Sequence, residues 1–194
     1  MGMPISIHVR GDGVDAPAVA RAVERAFDLL QEAEWLFSTY QEASEVSRIR
    51  RGELDVAHAD PLVQQVATLC RAAGELTQGA FTDELPDDRG VLRFDPTGLV
   101  KGWAADRAAS RLADLPAAAF CLNAGGDVVV GGHAAEANGG SIPPDGGLGG
   151  LWRVGIEDPR DRSRIAEVVE LHHGGVATSG TAARGAHLLS LIHI

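Results

Sequence analysis

Lysine, tyrosine and cysteine are almost missing from this chain of 194 residues, which has one lysine, one tyrosine and two cysteines. It also lacks a basic balance: 17 Lys and Arg stand against 27 Asp and Glu, for a net charge of −10. A partner held mainly through a phosphate backbone needs a basic footprint, so no nucleic acid is expected. Cys70 and Cys121 have no metal-ligand spacing and read as small buried apolar residues, which excludes a zinc knuckle and a disulfide frame. No apolar run is long enough for a bilayer and no signal sequence opens the chain, so no direct membrane insertion is expected, and the location reads as cytoplasmic for the chain as given. Gly-x-Ser-x-Gly and Gly-x-Gly-x-x-Gly do not occur in a supporting context.

What is present reads as a globular α+β chain, 45% hydrophobic and 23% charged. "PISIHV" (Pro4 to Val9) alternates as a strand does. Asp15 and Pro17 start a helix from Ala16 to about Phe37, whose apolar face is Val19, Val23, Ala26, Phe27, Leu30 and Phe37. Asp60 and Pro61 start a second helix, closed by Gly79. The acidic stretch "TDELPDDRG" reads as a loop and "VLRF" as a short strand. A third helix is expected from about Leu99 to Asp114. "AFCLNAGGDVVVGG" reads as two strands about a glycine turn, "GGHAAEANGGSIPPDGGLGG" as a mobile loop, and "LWRVGIEDP" and "IAEVVELHHGGVATSG" as further strands. Helices and strands fall in groups rather than alternating, which favours α+β over a doubly wound sheet. The last six residues, "LSLIHI", match one reading frame of a common transposon-derived sequencing adaptor. Two expectations follow: a native chain cut off near Leu188 with a non-native tail at 189–194, or an ordinary apolar terminal strand.

Lys101 is the sole lysine beside sixteen arginines. It lies in "DPTGLVKGWAAD", the start of the third helix, where unpaired N–H groups, Gly98 and an ammonium one turn in compose an anion site. Asp95 either caps that helix or takes a ligand hydroxyl or ring N–H. "NAGGD" (Asn123 to Asp127) is either a hairpin turn or an anion nest of glycine amides. His172 and His173 read as strand residues on opposite faces. His187 is a candidate base or phosphate contact. Arg48 reads as a surface arginine.

In order, these pieces resemble the FAD:protein FMN transferase (ApbE) family up to Leu188. "MGMPISI" looks like its opening strand, "FSTYQEASEVSRI" like its Ser-x-Tyr with Ser-Glu, and "GAF" (Gly79 to Phe81) like its Gly-Ala-Phe-Asp. "DPTGLVKGWAAD" is similar to Asp-Leu-Gly-Gly-Ile-Ala-Lys-Gly-Tyr-Ala-x-Asp, "LNAGGD" to Asn-x-Gly-Gly-Asp, and "ATSG" with "RGAHL" to its Ala-Thr-Ser-Gly and His region. The resemblance implies one ApbE-like domain over 1–188, a T-fold-related two-layer arrangement of mixed sheet and helices, incomplete at its C-terminus. It also implies Mg²⁺-dependent transfer of FMN from FAD to a Thr or Ser hydroxyl of an acceptor flavoprotein, with release of AMP. Met1, Tyr40, Ala80, Phe81, Thr82, Asp95, Lys101 and His187 would then meet FAD, Gly98 would offer its carbonyl to Mg²⁺, and His187 would be the base. Thr82 stands where the family has Asp, with Asp83 next to it, and Thr97 replaces the first glycine of the helix motif. The family's Ala-Asp-Ala-x-x-Thr metal segment would fall beyond this chain, so weak Mg²⁺ binding and impaired transfer are expected of it. The alternative is a protein that binds FAD, or hydrolyses it to FMN and AMP, without modifying a partner.

Overall fold

Asp60 starts a helix of sixteen residues because its carboxylate accepts the Leu62 N–H at 2.8 Å, while Pro61 sits where no N–H is needed. The computed structural model describes residues 3–11, 14–87, 89–113, 115, 118–132 and 151–178. In chain order the elements are β1 (Ile5–Arg10), α1 (Pro17–Phe37), α2 (Glu45–Arg50), a short 3-10 turn (Val56–His58), α3 (Pro61–Leu76), β2 (Glu84–Pro86) and β3 (Leu92–Phe94). There follow α4 (Thr97–Ala109), β4 (Ala119–Ala124), β5 (Asp127–Gly132), β6 (Trp152–Asp158), β7 (Asp161–Leu171) and β8 (Gly174–Val176). The α+β class expected from the sequence is what the structure has.

The chain divides into two compact units, with the dividing points inside α1 and α4. The first comprises Phe27–Ala104. Its core holds Leu30, Ala33 and Phe37 from α1, Val46 from α2, Val63, Val66 and Cys70 from α3, and Val100 and Ala104 from α4, all buried. Full burial of a side chain such as Phe37 contributes about 1.5–3 kcal/mol. The Phe37 ring meets Trp103 edge-on, with centroids 5.4 Å apart and planes at 71°, a favoured aromatic geometry. β2 and β3 form a small antiparallel sheet in which Glu84 pairs with Phe94 and Pro86 with Leu92.

The second unit comprises Met3–Ala26 and the chain from Ala105 onward. Its main sheet has the order β1-β4-β5-β8, antiparallel throughout. Leu112, Phe120, Leu122, Val128 and Val130 are buried here, with alanines at 22, 26, 105, 108, 118, 119 and 124. β6 and β7 make a separate two-stranded sheet, most of it exposed. Arg10 joins β1 to this part of the unit: its guanidinium lies 3.8 Å from the centre of the Trp152 ring and donates to the Leu151 carbonyl.

Four sequence expectations are corrected. β2 lies inside the acidic stretch read as a loop, where Asp95 N donates to the Asp83 carbonyl at 2.6 Å beside the β2–β3 ladder. α4 ends at Ala109 rather than near Asp114, because Ser110 turns back to cap the Arg107 carbonyl at 2.6 Å. α2 is an element the pattern did not show. His172 and His173 sit in the bend between β7 and β8, not in a strand, since Gly174 takes a φ of +113° there. Residues 133–150 of the Gly-rich stretch, Asp114 and the tail at 189–194 lie outside the described residues.

Gly132 closes β5 at φ +109°, and a Cβ there would meet the Ala118 carbonyl oxygen. Gly174 has a similar φ, +113°, with nothing within 4 Å of the corresponding position. Gly132→Ala is therefore expected to cost at least about 2 kcal/mol and Gly174→Ala about 1 kcal/mol, the second from backbone strain alone. Urea unfolding of the two variants measures the difference, and equal losses would contradict the packing assigned to Gly132.

Candidate functional site

In the first unit, the start of α4 is built around one carboxylate. Asp95 Oδ1 accepts the Thr97 N–H at 3.1 Å and the Thr97 hydroxyl at 2.6 Å, so the capping role is present in the fold. Asp95 Oδ2 accepts from the Arg50 guanidinium at 2.8 Å, a contact that ties the last residue of α2 to the residue after β3. The Pro96 carbonyl takes the Leu99 and Val100 N–H groups at 2.9 and 3.0 Å. That leaves the Gly98 N–H as the amide of the first turn with no protein acceptor among the described residues, and Gly98 is exposed. A helix start presents such donors and a partial positive charge to an anion. Lys101, half-buried, follows one turn into the same helix.

Phe81 reaches this place because α3 ends sharply. The Thr77 hydroxyl donates to the Ala73 carbonyl at 2.7 Å and accepts the Phe81 N–H at 3.0 Å, while Gly79 N donates to the Gly74 carbonyl at 2.8 Å with φ at +85°. A Cβ on Gly98 would lie 3.2 Å from the Phe81 ring, so the missing side chain of Gly98 is what admits the ring. Ala80 and Thr82 are exposed, and the Thr82 hydroxyl accepts the Glu84 N–H at 3.1 Å. Asp83 reaches the same locality through its backbone bond to Asp95.

Tyr40 is 84% exposed. The turn that carries it is fixed by three buried serines: Ser44 and Ser47 donate to the Ser38 carbonyl at 2.5 and 3.1 Å, and Ser44 Oγ caps α2 by accepting the Ser47 N–H at 3.1 Å. Ser38 Oγ accepts the Tyr40 N–H at 3.3 Å. The structure thus brings Phe81, Thr82, Asp95, Gly98 and Lys101 to one helix start and its neighbouring turn, with Tyr40 on a separate turn of the same unit. Sequence reasoning missed Arg50 and Ser47, and it took Ser38 and Ser44 only as parts of a motif without their bonding role. Met1 and His187 lie outside the described residues.

In the second unit, "NAGGD" is a hairpin turn. Gly125 and Gly126 take φ of +58° and +98° between β4 and β5, the geometry of a two-residue turn that matches strand twist. Their amides are spent on protein: Gly125 N on the Pro4 carbonyl at 3.0 Å and Gly126 N on Asn123 Oδ1 at 2.9 Å. The nest alternative is therefore corrected. Asp127 Oδ1 accepts the Thr178 N–H at 2.8 Å and the Thr178 hydroxyl donates to the Gly126 carbonyl at 2.7 Å, so the strand from β8 is latched to this turn.

The Asp95 carboxylate already takes three donors from Arg50 and Thr97, and no three His, Cys, Asp or Glu side chains cluster for a metal among the described residues. These residues do not make a magnesium site among themselves. No helix among the described residues is long and apolar enough to cross a membrane.

The sequence model of the ApbE family matches residues 1–84 and 82–193. The crystal structure of an ApbE protein from Thermotoga maritima superposes with a TM-score of 0.68 at 23% identity, over 92% of this chain and 67% of that one. The flavin transferase ApbE from Vibrio cholerae gives 0.62 at 20% identity, over 95% and 70%. The flavinyl transferase ApbE of Pseudomonas stutzeri, in its apo form, gives 0.60 at 19%, over 91% and 68%. At these identities the likeness is one of fold. No curated protein matches the chain.

Cys70 is buried on α3. Burial, with the charge of Asp83 adding to it, pushes its thiol from 9.0 up to about 12. A thiol pKa raised by folding gives stability that is whole below pH 9 and lost as pH climbs through about 12. Cys70 in the folded protein is expected to resist iodoacetamide at pH 8.5 and to react after unfolding in urea; mass spectrometry reads the difference, and equal labelling would contradict the burial.

Proposed function

The chain belongs to the ApbE family, and on that premise we propose that it transfers the FMN moiety of FAD to a threonine or serine hydroxyl of an acceptor flavoprotein and releases AMP. The observation that carries the reading is the start of α4. There an exposed amide at Gly98, Lys101 one turn on, and the Phe81 ring held against Gly98 offer donors to a diphosphate and a flat apolar surface to a ring.

In the proposed reaction, the acceptor oxygen bonds to the phosphorus of the FMN half and the P–O bond to the bridging oxygen breaks. That oxygen leaves with AMP, and the hydroxyl proton passes to a base. Lys101 and the α4 amides would hold the diphosphate and stabilise charge as it moves to the leaving oxygen. Tyr40, Ala80, Phe81 and Thr82 would meet the ring systems, with Met1 at the same site, and Asp95 would accept a ligand hydroxyl or ring N–H. His187 is the proposed base. A magnesium ion, when bound, would offset phosphate charge; Gly98 is its proposed carbonyl ligand, and the described residues do not by themselves complete its site. A cytoplasmic location and a domain spanning 1–188 remain part of the proposal.

The test is incubation with FAD, MgCl₂ and a threonine-containing acceptor polypeptide. Flavin fixed to the acceptor, with AMP in equal amount, is the expected result; free FMN and AMP without labelling would mean hydrolysis and overturn transfer. Arg48, read from the sequence as a surface position, is half-buried, so exposed Arg71 is the better comparison. Lys101→Ala is expected to weaken FAD binding about tenfold or more, the loss of one charge-assisted hydrogen bond of about 1.5–3 kcal/mol, with Arg71→Ala near neutral. Lys101→Arg should restore only part of it, since a planar fork does not replace a compact ammonium. Flavin fluorescence titration measures all three, and a Lys101→Ala affinity equal to wild type would contradict the assignment.

A further inference from the structure

The geometry assigns Arg50 a positioning role: it fixes the Asp95 carboxylate in the orientation from which Asp95 serves bound FAD, a proposal that rests on the flavin reading above. Arg50 ends α2, and its guanidinium lies 2.8 Å from Asp95 Oδ2 and 3.4 Å from the Phe94 carbonyl. Thr97 holds the other carboxylate oxygen through its N–H and its hydroxyl. A carboxylate has about four acceptor positions; three donors from two residues therefore restrain the plane of this one and leave one acceptor position, on Oδ2, beside Arg50.

The pair is neither a surface contact nor a dry one, with side-chain exposures of 25% for Arg50 and 12% for Asp95. Exposed ion pairs hold two flexible side chains for almost no gain, whereas this one is sheltered enough to hold a fixed geometry and open enough for a ligand to reach it. Asp95 alone could rotate to cap α4 with either oxygen. With Arg50 present, Oδ1 stays on the helix and Oδ2 stays available. Both contacts come from one guanidinium nitrogen, Nη1, so lysine would keep the charge and could make either bond, but on a flexible stem without the fixed N–H directions of the guanidinium.

The role is separable from direct ligand contact and from fold support by a double-mutant cycle. FAD affinity is measured by flavin fluorescence for wild type, Arg50→Ala, Arg50→Lys, Asp95→Ala and the double variant Arg50→Ala/Asp95→Ala, each with its thermal unfolding midpoint. Arg50→Ala is expected to raise the FAD dissociation constant about five- to tenfold, and Arg50→Lys to recover part of that. In the Asp95→Ala background, removal of Arg50 is expected to change the constant less than twofold, because nothing remains to position. A full loss in that background would show that Arg50 touches FAD itself and overturn the proposal. So would unchanged FAD affinity in folded Arg50→Ala and Arg50→Lys, which would leave Arg50 a brace seen only in the midpoint. If wild type binds no FAD, the flavin reading falls and this proposal with it; if wild type binds and the Arg50 variants bind equally, only the positioning role falls.

Discussion

The Asp95 carboxylate is the joint on which the candidate site turns. It follows β3 directly, caps the first turn of α4 through Thr97, and fastens both to α2, 45 residues earlier, through Arg50. The contacts of Arg50 and Thr97 with the carboxylate are charge-assisted, a kind worth about 1.5–3 kcal/mol apiece. Releasing the carboxylate would unfasten the helix start and the orientation of every group on that first turn. Gly98 and Lys101 would then present a donor and a charge from a mobile end rather than from a fixed one.

Around this joint the first unit uses absence as a structural device. Gly98 has no side chain where the Phe81 ring lies, and Gly79 takes the left-handed backbone that turns the end of α3 toward it. The three serines at 38, 44 and 47 do by hydrogen bonding what a longer apolar segment would do by packing: they hold the turn that carries Tyr40 with its ring outward. In the second unit the same economy appears in the glycine turn between β4 and β5, whose amides and carbonyls are closed by Asn123, Pro4 and Thr178. That turn is fully engaged with protein, and the start of α4 is not.

Long periodic segments were legible in the sequence. α1 and α3 were placed within a residue or a few, because their apolar faces repeat over several turns and both have Asp-Pro or Asp-x-Pro starts. The β4–β5 hairpin was legible from its two glycines. α2 was not, since six residues hold too few turns for a period to show, and its cap, Ser44, reads equally as a loop serine. β2 was hidden because three exposed residues carry no alternation to detect. The site was legible as residue types: Lys101 as an oddity of composition, Gly98 and Asp95 as a helix start. Its wiring was not, because Arg50 and Asp95 are 45 residues apart and nothing in either neighbourhood marks the other as its partner.

On the proposed reading, the start of α4 receives the diphosphate of FAD. An amide-resolved NMR titration of the ¹⁵N-labelled protein with FAD, following Gly98, tests this. The Gly98 amide is expected to move downfield as FAD is added and to saturate with the flavin fluorescence, as a donor gaining a phosphate acceptor does. A Gly98 amide that stays in place while FAD binds would contradict it.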